Sequence, residues 1–361
     1  MSAFRVGFDI GPLFGPKTGI GFAVEHLHRA LGVHDDVALL DYVLSARSRP
    51  QPPTRKLPLP AALAHRIWAH TSHPRVDRWL DGAQLVHGTN YVVPPARIPR
   101  LVSVYDCWFL RHDDEANPAV RRGGAVLRRA VSEGAVVHTS SHATEAAVRE
   151  LLPGAEVHTV HLGPLPLPPA PAQSPIAALD GVRYVLAIGT IERRKNLPRL
   201  VQAFGLLAAT HPDVQLVLAG GDGDDRPAVN AAVDALGPMA SRVVFTGRVD
   251  DGVRSWLLRH AAVLAYPSLD EGFGFPLLDA MQAGVPVVAS NAGSIPEVAG
   301  EAALLCAATD VDGLATALAA VLDDEAVAAG LVAAGAARCQ QFSWQRCADE
   351  MVALYRQVAA G

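Results

Sequence analysis

Short apolar runs alternate with helical patterns along the whole chain, and this alternation predicts the fold class. The runs are rich in valine and leucine and are apolar on both faces, as is typical of buried parallel strands. In chain order they are RVGFDIG, VALLDYV, AQLVHGT, RLVSVYD, AVVHTSS and VHTVHLG, followed by RYVLAIGT, VQLVLAGG, RVVFTG, AAVLAYPS, VPVVAS and AALLC. Helical patterns such as Leu197–Thr210 lie between them. We therefore predict an α/β protein with doubly wound parallel sheets.

A proline-rich stretch interrupts this rhythm near the middle of the chain. The segment GPLPLPPAPAQSP, from Gly163 to Pro175, suits neither a helix nor a central strand, and strand patterns resume at Tyr184. The length of 361 residues is sufficient for two cores. We predict a Rossmann-like domain over 1–165, a linker over 166–182 and a second Rossmann-like domain over 183–343. A last helix over 344–361 would be free to cross back to the first domain.

Composition narrows the class of protein. Half of the residues are apolar, 19% are charged and the net charge is -5, which indicates a globular chain and argues against nucleic-acid binding. The four cysteines form no CxxC pair, so neither a zinc site nor a disulfide framework is expected. The N-terminus resembles a strand rather than a signal peptide, and no apolar stretch approaches the roughly 20 residues of a membrane span. We expect a cytoplasmic protein whose membrane contact, if any, is peripheral.

The segment DEGFGFPLLD, from Asp270 to Asp279, carries the most informative pattern. Pro276 suits the first position of a helix, so Glu271 and two glycines would lie between the carboxyl end of a strand and a helix N-terminus. Backbone N–H groups there favour anionic oxygens, whereas the Glu271 carboxylate suits neutral hydroxyls. Asp279, expected in the first helical turn, suits a ribose diol. Together these groups match a nucleotide sugar, although a plain turn with Asp279 complementing the helix dipole is the alternative.

Basic residues follow the first strand of the second predicted domain. Arg193, Arg194 and Lys195 are adjacent in GTIERRKNL and would neutralise a diphosphate leaving group, although such a run also suits a solvated surface turn. Fixed cations and a helix terminus would supply the positive charge that the reaction needs, so we expect no metal or other cofactor. The D-x-D pair of Asp222 and Asp224 follows two glycines, and we interpret it as a turn.

Further candidates lie in the first half of the chain. Gly19 and Gly21 would allow close approach of a ligand before the first helix, although a plain glycine turn is the simpler reading. Tyr105 and Asp106 end a strand, where a polar pair suits a site and a lone aspartate suits a helix cap. His87 ends another strand and would equally suit a hydrogen-bonded structural histidine. The helix RRGGAVLRRAV, from Arg121 to Val131, would either contact anionic lipid headgroups or present a solvated face.

These motifs, in this order, resemble the retaining glycosyltransferase family 4, which has the GT-B fold of two Rossmann-like domains facing each other across a cleft. The segments that carry the resemblance are TGIGF, VHGTNYVVPP, VYDCWFLR, SSHATEAAV, GTIERRKNL, VVFTGRV, AYPSLDEGFGFPLLDAMQAGVPVVASNAGSIPEVAG and FSWQRCA. They cover nearly the whole chain, and the long EGFG segment is the most specific of them.

The resemblance implies roles for individual residues. Glu271 would hold the hydroxyls of the donor sugar, Asp279 the ribose, and Lys195 and Arg194 the diphosphate. Tyr105 and Asp106 stand where the family has His-Asp, and the family's histidine lies near the donor sugar. The implied donor site also includes a set of loop residues. These are Gly19, Gly21, Gly189, Gly247, Arg248, Val249, Ser268, Gly272, Phe273, Gly274 and Phe275.

The implied reaction is glycosyl transfer with retention of configuration, from a nucleotide sugar to a glycan or lipid-linked acceptor. GDP-mannose is the favoured donor. Asp279 stands where the family usually has glutamate, and the main departure is Tyr105, which replaces the usual histidine and leaves alternatives open. The chain would then use a 6-deoxy or other sugar nucleotide, or be an impaired relic that only binds. A nicotinamide-dependent oxidoreductase is disfavoured, because Ala23 and Val24 break the G-x-G-x-x-G pattern after Gly21.

Overall fold

The computed structural model describes residues 3–15, 17–44, 51, 53–112 and 118–361. Pro16, which lies in the predicted glycine loop, is outside the described residues. The strands are β1 (Phe4–Asp9), β2 (Val37–Val43), β3 (Arg55–Lys56), β4 (Leu85–Gly88), β5 (Arg100–Val104), β6 (Val136–Thr139), β7 (Val157–Thr159), β8 (Arg183–Ile188), β9 (Val214–Ala219), β10 (Val243–Gly247), β11 (Val263–Tyr266), β12 (Val287–Ser290) and β13 (Leu304–Cys306).

Helices lie between most of these strands. They are α1 (Gly19–Gly32), α2 (Ala61–Trp68), α3 (Trp108–Arg111), α4 (Pro118–Ser132), α5 (His142–Leu151), α6 (Leu197–Ala208), α7 (Arg226–Asp234), α8 (Asp251–His260), α9 (Phe275–Ala283), α10 (Ile295–Ala299), α11 (Val311–Asp323), α12 (Glu325–Cys339) and α13 (Trp344–Ala360). Short 3-10 turns include Gly11–Leu13 and Arg193–Lys195. No helix in the described ranges is long and apolar enough to cross a membrane.

The strands form two sheets, and every strand pair within them is parallel. The order is β3-β2-β1-β4-β5-β6-β7 in the first sheet and β10-β9-β8-β11-β12-β13 in the second. In each sheet the chain builds outward in one direction from its first strand and then returns to build on that strand's other side. This is the doubly wound arrangement, and it confirms the predicted α/β class.

The chain divides into two compact units. Unit 1 comprises Met1–Gly163 with Phe342–Gly361, and unit 2 comprises Pro164–Gln341. The last helix, α13, therefore belongs to unit 1, whereas the segment interpreted from the sequence as a linker belongs to unit 2. Side chains of α8 and α9 hold that segment in place, since Ser255 Oγ donates to the Pro168 carbonyl at 2.6 Å and Gln282 Nε2 to the Leu165 carbonyl at 3.0 Å. These bonds satisfy carbonyls in a segment where proline removes many of the donors.

A chain of buried polar side chains connects α13 to the sheet of unit 1. The His87 Nδ1 atom lies 2.8 Å from the Tyr355 hydroxyl, and its Nε2 atom lies 2.8 Å from Ser103 Oγ. Ser103 Oγ in turn lies 2.9 Å from His138 Nδ1, and His138 Nε2 lies 3.3 Å from the Val160 carbonyl. One assignment of the protons satisfies every group. The Tyr355 hydroxyl donates to His87 Nδ1 and His87 Nε2 donates to Ser103 Oγ; Ser103 Oγ then donates to His138 Nδ1, and His138 Nε2 donates to the Val160 carbonyl. His87 is thus the hydrogen-bonded structural histidine that the sequence left as one of two readings.

Burial keeps both histidines of this chain neutral. It lowers the pKa of His138 to about 4, and it lowers that of His87 well below its usual range. Neutral imidazoles are what the proton assignment requires, because each ring accepts at Nδ1 and donates at Nε2. The polar chain is therefore self-consistent without any ion, and it contributes to stability through complete pairing of its buried groups.

Ser103→Ala should destabilise unit 1, because it removes the acceptor of His87 and the donor to His138 in a buried environment. We expect the free energy of unfolding to fall by on the order of 2–4 kcal/mol. Urea unfolding followed by circular dichroism measures this. Ser132→Ala is the matched control, since the Ser132 hydroxyl bonds to the Arg129 carbonyl at an exposed position. Equal stability of the two variants would contradict the proposed importance of the polar chain.

Candidate functional site

Two cations and one carboxylate meet at the carboxyl ends of β8 and β11. Arg194 Nη1 donates to Glu271 Oε2 at 2.6 Å, and Lys195 Nζ donates to Glu271 Oε1 at 2.6 Å. Lys195 and Glu271 are buried, with 8% and 5% of their surface exposed. Strands β8 and β11 are neighbours at the point where the strand order reverses, which is where open α/β sheets bind ligands. The structure thus brings together Arg194, Lys195 and Glu271, three of the charged residues predicted for this site.

The charges of this cluster stabilise one another. Burial alone would raise the pKa of Glu271, but the charges of Arg194 and Lys195 and the hydrogen bond from Lys195 lower it to about 2. Burial lowers the pKa of Lys195, and the Glu271 charge opposes that shift. Glu192 adds a second carboxylate, with its Oε2 atom 3.2 Å from Arg194 Nε. Glu271 therefore remains ionised across the physiological range and offsets the positive charge of its neighbours.

Local backbone structure fixes the position of the cations. Arg193–Lys195 form one 3-10 turn, which ends at Asn196 in the left-handed conformation with φ of 58°. The Asn196 side chain donates to the Pro267 carbonyl at 2.9 Å and to the Ala308 carbonyl at 2.7 Å. Asparagine tolerates this conformation better than most residues, and its amide supplies both donors. The turn is further joined to the loop after β11 by a backbone bond from Leu269 N to the Arg194 carbonyl at 2.7 Å.

The loop after β11 leads into α9 through a left-handed glycine. Gly274 has a φ of 92° and occupies the N-cap position, with no side chain to cap the helix. The predicted helix start was wrong by one residue, because α9 begins at Phe275 and Pro276 is its second residue. Asp279 is consequently the fifth residue rather than a member of the first turn, and no acidic residue lies in that turn. The alternative that Asp279 merely complements the dipole of α9 is therefore not supported.

Asp279 instead pairs with an arginine of the neighbouring helix. Arg254 Nη1, on α8, donates to Asp279 Oδ2 at 2.5 Å, and its Nη2 donates to the Pro166 carbonyl at 3.1 Å. The other carboxylate oxygen, Oδ1, is buried and has no hydrogen-bond partner among the described residues. Burial raises the pKa of Asp279 to about 7 against the opposing effect of Arg254. The carboxylate thus keeps one oxygen available for a hydrogen-bond donor.

The remaining donor-site candidates of unit 2 differ in exposure. Gly189 follows β8 with a φ of 142°, and a Cβ atom there would lie 3.3 Å from Lys195 Cε. Gly247 ends β10 with a φ of 67°, and the exposed Arg248 and the half-buried Val249 follow it. Ser268 is fully buried and lines the same cavity as Gly189 and Lys195. In the loop before α9 the candidates are packed to different degrees, with Gly272, Phe273 and Gly274 buried and Phe275 half-buried.

The candidates of unit 1 are largely engaged in its own structure. Gly19 and Gly21 are the first and third residues of α1, so they lie within the helix rather than before it, as the sequence had suggested. Tyr105 is 7% exposed, and its buried hydroxyl has no partner in the described part of the chain. Asp106 accepts hydrogen bonds from the Tyr91 hydroxyl at 3.0 Å and from Trp108 N, at the start of α3, at 3.2 Å. Asp106 thus supports the start of α3, but the N-cap residue is Cys107, so the helix-cap alternative for Asp106 was wrong by one residue.

The D-x-D carboxylates bond to protein groups. Asp222 Oδ1 accepts from Arg226 Nη1 at 2.6 Å, and Asp224 Oδ1 accepts from Arg193 N at 3.1 Å. The Asp222 bond reaches the first residue of α7, and Asp224 lies in the turn that precedes this helix but bonds to the 3-10 turn after β8. Asp224 thereby helps to hold the 3-10 turn that carries the cations.

Sequence reasoning missed two residues of the site. The Tyr266 hydroxyl accepts from Lys195 Nζ at 3.0 Å, and the ring centroid lies 4.8 Å from the same atom. Arg254 holds Asp279, as described above. Tyr266 ends β11 just before Pro267, and its position at a strand's carboxyl end could have indicated a role. Arg254 lies 25 residues from Asp279 on another helix, and nothing in the sequence pattern relates the two.

Comparison with known proteins agrees with this geometry. A family model described as "Glycosyl transferases group 1" matches residues 182–324. An O-antigen chain mannosyltransferase B from Escherichia coli is 31% identical over 298 residues, which cover 79% of this chain and 78% of that protein. This extent of similarity covers sequence from both units.

Solved structures share the fold over nearly the full length. The sucrose-phosphate synthase from Thermosynechococcus elongatus has a TM-score of 0.75 at 22% identity and covers 99% of both chains. Anabaena HepE, solved with UDP and glucose, has a TM-score of 0.73 at 15% identity and covers 98% of this chain and 100% of its own. The two Rossmann-like units are thus those of the GT-B glycosyltransferases. Together with the sequence similarity, these findings show that the chain belongs to the group 1 glycosyltransferases.

Proposed function

We propose that this glycosyltransferase moves a hexose from a nucleotide sugar to a glycan or lipid-linked acceptor with retention of configuration, and that its donor is GDP-mannose. The observation that carries the proposal is the Arg194–Lys195–Glu271 cluster at the β8/β11 switch point. It combines cations suited to a diphosphate with a carboxylate suited to sugar hydroxyls. The mannose assignment is supported by the similarity to the E. coli mannosyltransferase.

Each charged group has a distinct part in this reaction. The bond between the sugar's anomeric carbon and the diphosphate breaks, a bond to the acceptor oxygen forms on the same face, and the acceptor's proton passes to a β-phosphate oxygen. Arg194 and Lys195 stabilise the negative charge that develops on the diphosphate. Glu271 accepts hydrogen bonds from the sugar hydroxyls. A ribose hydroxyl donating to Asp279 Oδ1 would satisfy that buried atom.

Within the same proposal, helix α4 is the feature that bears on the acceptor and its surroundings. Helix α4 exposes Arg121 and Arg128 together with Val120 on one side, while Val126 and Leu127 are buried in unit 1. Basic side chains beside apolar ones suit the anionic headgroups that surround a lipid-linked acceptor. We accordingly place the enzyme in the cytoplasm, with peripheral contact to a membrane when the acceptor is lipid-linked.

The direct test is release of nucleoside diphosphate from a panel of sugar nucleotides. GDP-mannose, GDP-fucose, UDP-glucose and dTDP-rhamnose would be incubated with the protein and a mannose-containing acceptor. We expect the highest turnover with GDP-mannose, and the anomeric configuration of the product, read by NMR, should match that of the donor. Highest turnover with a different donor would contradict the assignment of GDP-mannose. A product of opposite anomeric configuration would refute retention.

Substitution of the paired charges should separate binding from transfer. Lys195→Met should weaken GDP binding roughly 10- to 100-fold, because a charge-assisted hydrogen bond to phosphate is lost. Glu271→Gln should leave the affinity for GDP unchanged or increase it, because it removes the anion that competes with phosphate for Arg194 and Lys195. Transfer should nevertheless fall sharply in Glu271→Gln. Isothermal titration calorimetry with GDP measures the affinities.

The exposed Glu301 of unit 2 provides the control for this comparison. Glu301→Gln changes the net charge as Glu271→Gln does, and it should alter neither GDP affinity nor transfer. If Glu271→Gln weakened GDP binding as much as Lys195→Met, the carboxylate would be holding the cations in place rather than competing with the diphosphate.

Metal chelation should not abolish transfer. Arg194, Lys195 and the backbone N–H groups at the start of α9 offer positive charge to the diphosphate without an ion. We therefore expect at least half of the activity to remain in excess EDTA. A complete loss that magnesium restores would contradict this expectation and would give Asp222 and Asp224 a role in metal binding.

A further inference from the structure

Unit 1 has the same kind of switch point as unit 2, and a carboxylate lies there. Strand β1 is flanked by β2 on one side and β4 on the other, so the strand order reverses between β1 and β4. Asp9 is the last residue of β1, and Thr89 follows the end of β4. The Thr89 hydroxyl donates to the Asp9 carbonyl at 2.7 Å and so joins the two strand ends. The position of Asp9 in its sheet corresponds to the end of β8 in unit 2.

The turn after β1 orients the Asp9 side chain. Gly11 N donates a hydrogen bond to Asp9 Oδ1 at 2.8 Å. Among the described residues this is the one donor found for the carboxylate. A Cβ atom at Gly11 would lie 3.0 Å from Oδ1 and 3.7 Å from Oδ2, so the absence of a side chain there leaves space beside the carboxylate. Asp9 as a residue is half-buried. One oxygen is therefore fixed while the second has room for a ligand.

Asp9 differs from the other carboxylate near this part of the sheet. Asp41, on β2, is paired with His28, whose Nε2 atom lies 2.9 Å from Asp41 Oδ1. No such pair is found for Asp9 within the described residues, and burial raises its pKa to about 7 despite the bond from Gly11. A carboxyl group held in these surroundings without a cation lowers stability when it ionises. A hydrogen-bond donor from a ligand would offset that cost.

We infer that Asp9 binds the acceptor, with its second carboxylate oxygen accepting a hydrogen bond from a hydroxyl of a polyhydroxylated substrate. The inference rests on the proposed function, which assigns the donor's charged groups to unit 2. A carboxylate repels phosphate and accepts from hydroxyls, so the chemistry of the site matches a sugar rather than a diphosphate. In the described ranges Asp9 is not part of any group of three potential metal ligands, which disfavours a cation as the ligand.

Asp9→Asn is the decisive variant because the amide has nearly the same size and keeps an oxygen for Gly11 N. With GDP-mannose as donor and methyl α-D-mannopyranoside as the probe acceptor, we expect the acceptor KM to rise roughly 10- to 100-fold. Hydrolysis of GDP-mannose without acceptor, and the Kd for GDP, should be unchanged. The thermal midpoint should not fall, since the neutral amide removes the cost of a buried charge.

The pH dependence provides a readout that a structural role would not change. The Asp9 carboxyl loses its proton as the pH rises through about 7, and the ionised form is the stronger acceptor of hydrogen bonds. The acceptor KM of the wild type should therefore fall between pH 6 and pH 8. In Asp9→Asn that pH dependence should disappear, whereas an acceptor KM that varied equally in both proteins would overturn the inference.

Two further variants complete the test. Asp77→Asn is the matched control, because Asp77 Oδ1 also accepts a backbone N–H, that of Arg97 at 2.7 Å, but precedes β4 rather than following a strand. It should leave the acceptor KM unchanged. If Asp9→Asn fails to fold, Gly11→Ala makes the same test by crowding the carboxylate, and it too should raise the acceptor KM.

The outcomes distinguish this inference from the proposed function. A wild-type protein that turned over no sugar nucleotide would overturn both. An active wild type with an unchanged acceptor KM in Asp9→Asn would overturn the role of Asp9 alone. Equal loss of donor hydrolysis and of transfer in Asp9→Asn would also overturn it, since a group that binds only the acceptor should not affect the donor.

Discussion

The bridge from Glu271 to Arg194 and Lys195 is the interaction on which the candidate site depends. It spans 76 residues of sequence and joins the turn after β8 to the loop after β11. Three buried or half-buried charges at one strand edge would repel or remain unsolvated if any were missing, so each requires the others. The same pairing places two cations and a carboxylate close enough together for one ligand to contact all three. Under the proposed function, stability of the loop and affinity for the diphosphate would therefore arise from the same residues.

The positive charges of the site are paired with a carboxylate of the protein itself. Glu271 accepts from both cations at 2.6 Å and occupies the donors that a diphosphate would use. Under the proposed function, binding of the diphosphate would exchange one set of charge-assisted bonds for another, so the net gain would be smaller than the sum of the new bonds. Once displaced from the cations, the carboxylate would be available for sugar hydroxyls. A single residue would then couple occupation of the diphosphate position to recognition of the sugar.

The sequence predicted the regular elements well, and its failures have physical causes. All twelve apolar runs became strands, because a strand buried on both faces needs continuous apolar residues. Strand β3 was missed because Arg55 and Lys56 carry no apolar signal at an edge position. The 166–182 segment, predicted as a linker from its prolines, groups with unit 2, because prolines limit regular structure without preventing packing. The Arg254–Asp279 pair depends on helix packing and leaves no local pattern.

The length of one side chain decides how Asp279 acts. The family resemblance leads one to expect glutamate at this position, and aspartate is shorter by one methylene group. From the fifth residue of α9 the shorter carboxylate is drawn to Arg254 of α8, and 3% of its surface is exposed. A glutamate would extend farther from the helix and would not need to share an oxygen with Arg254 in this way. In this chain the Asp279 side chain joins α8 and α9 through Arg254, and under the proposed function Oδ1 would be its point of contact with the ribose.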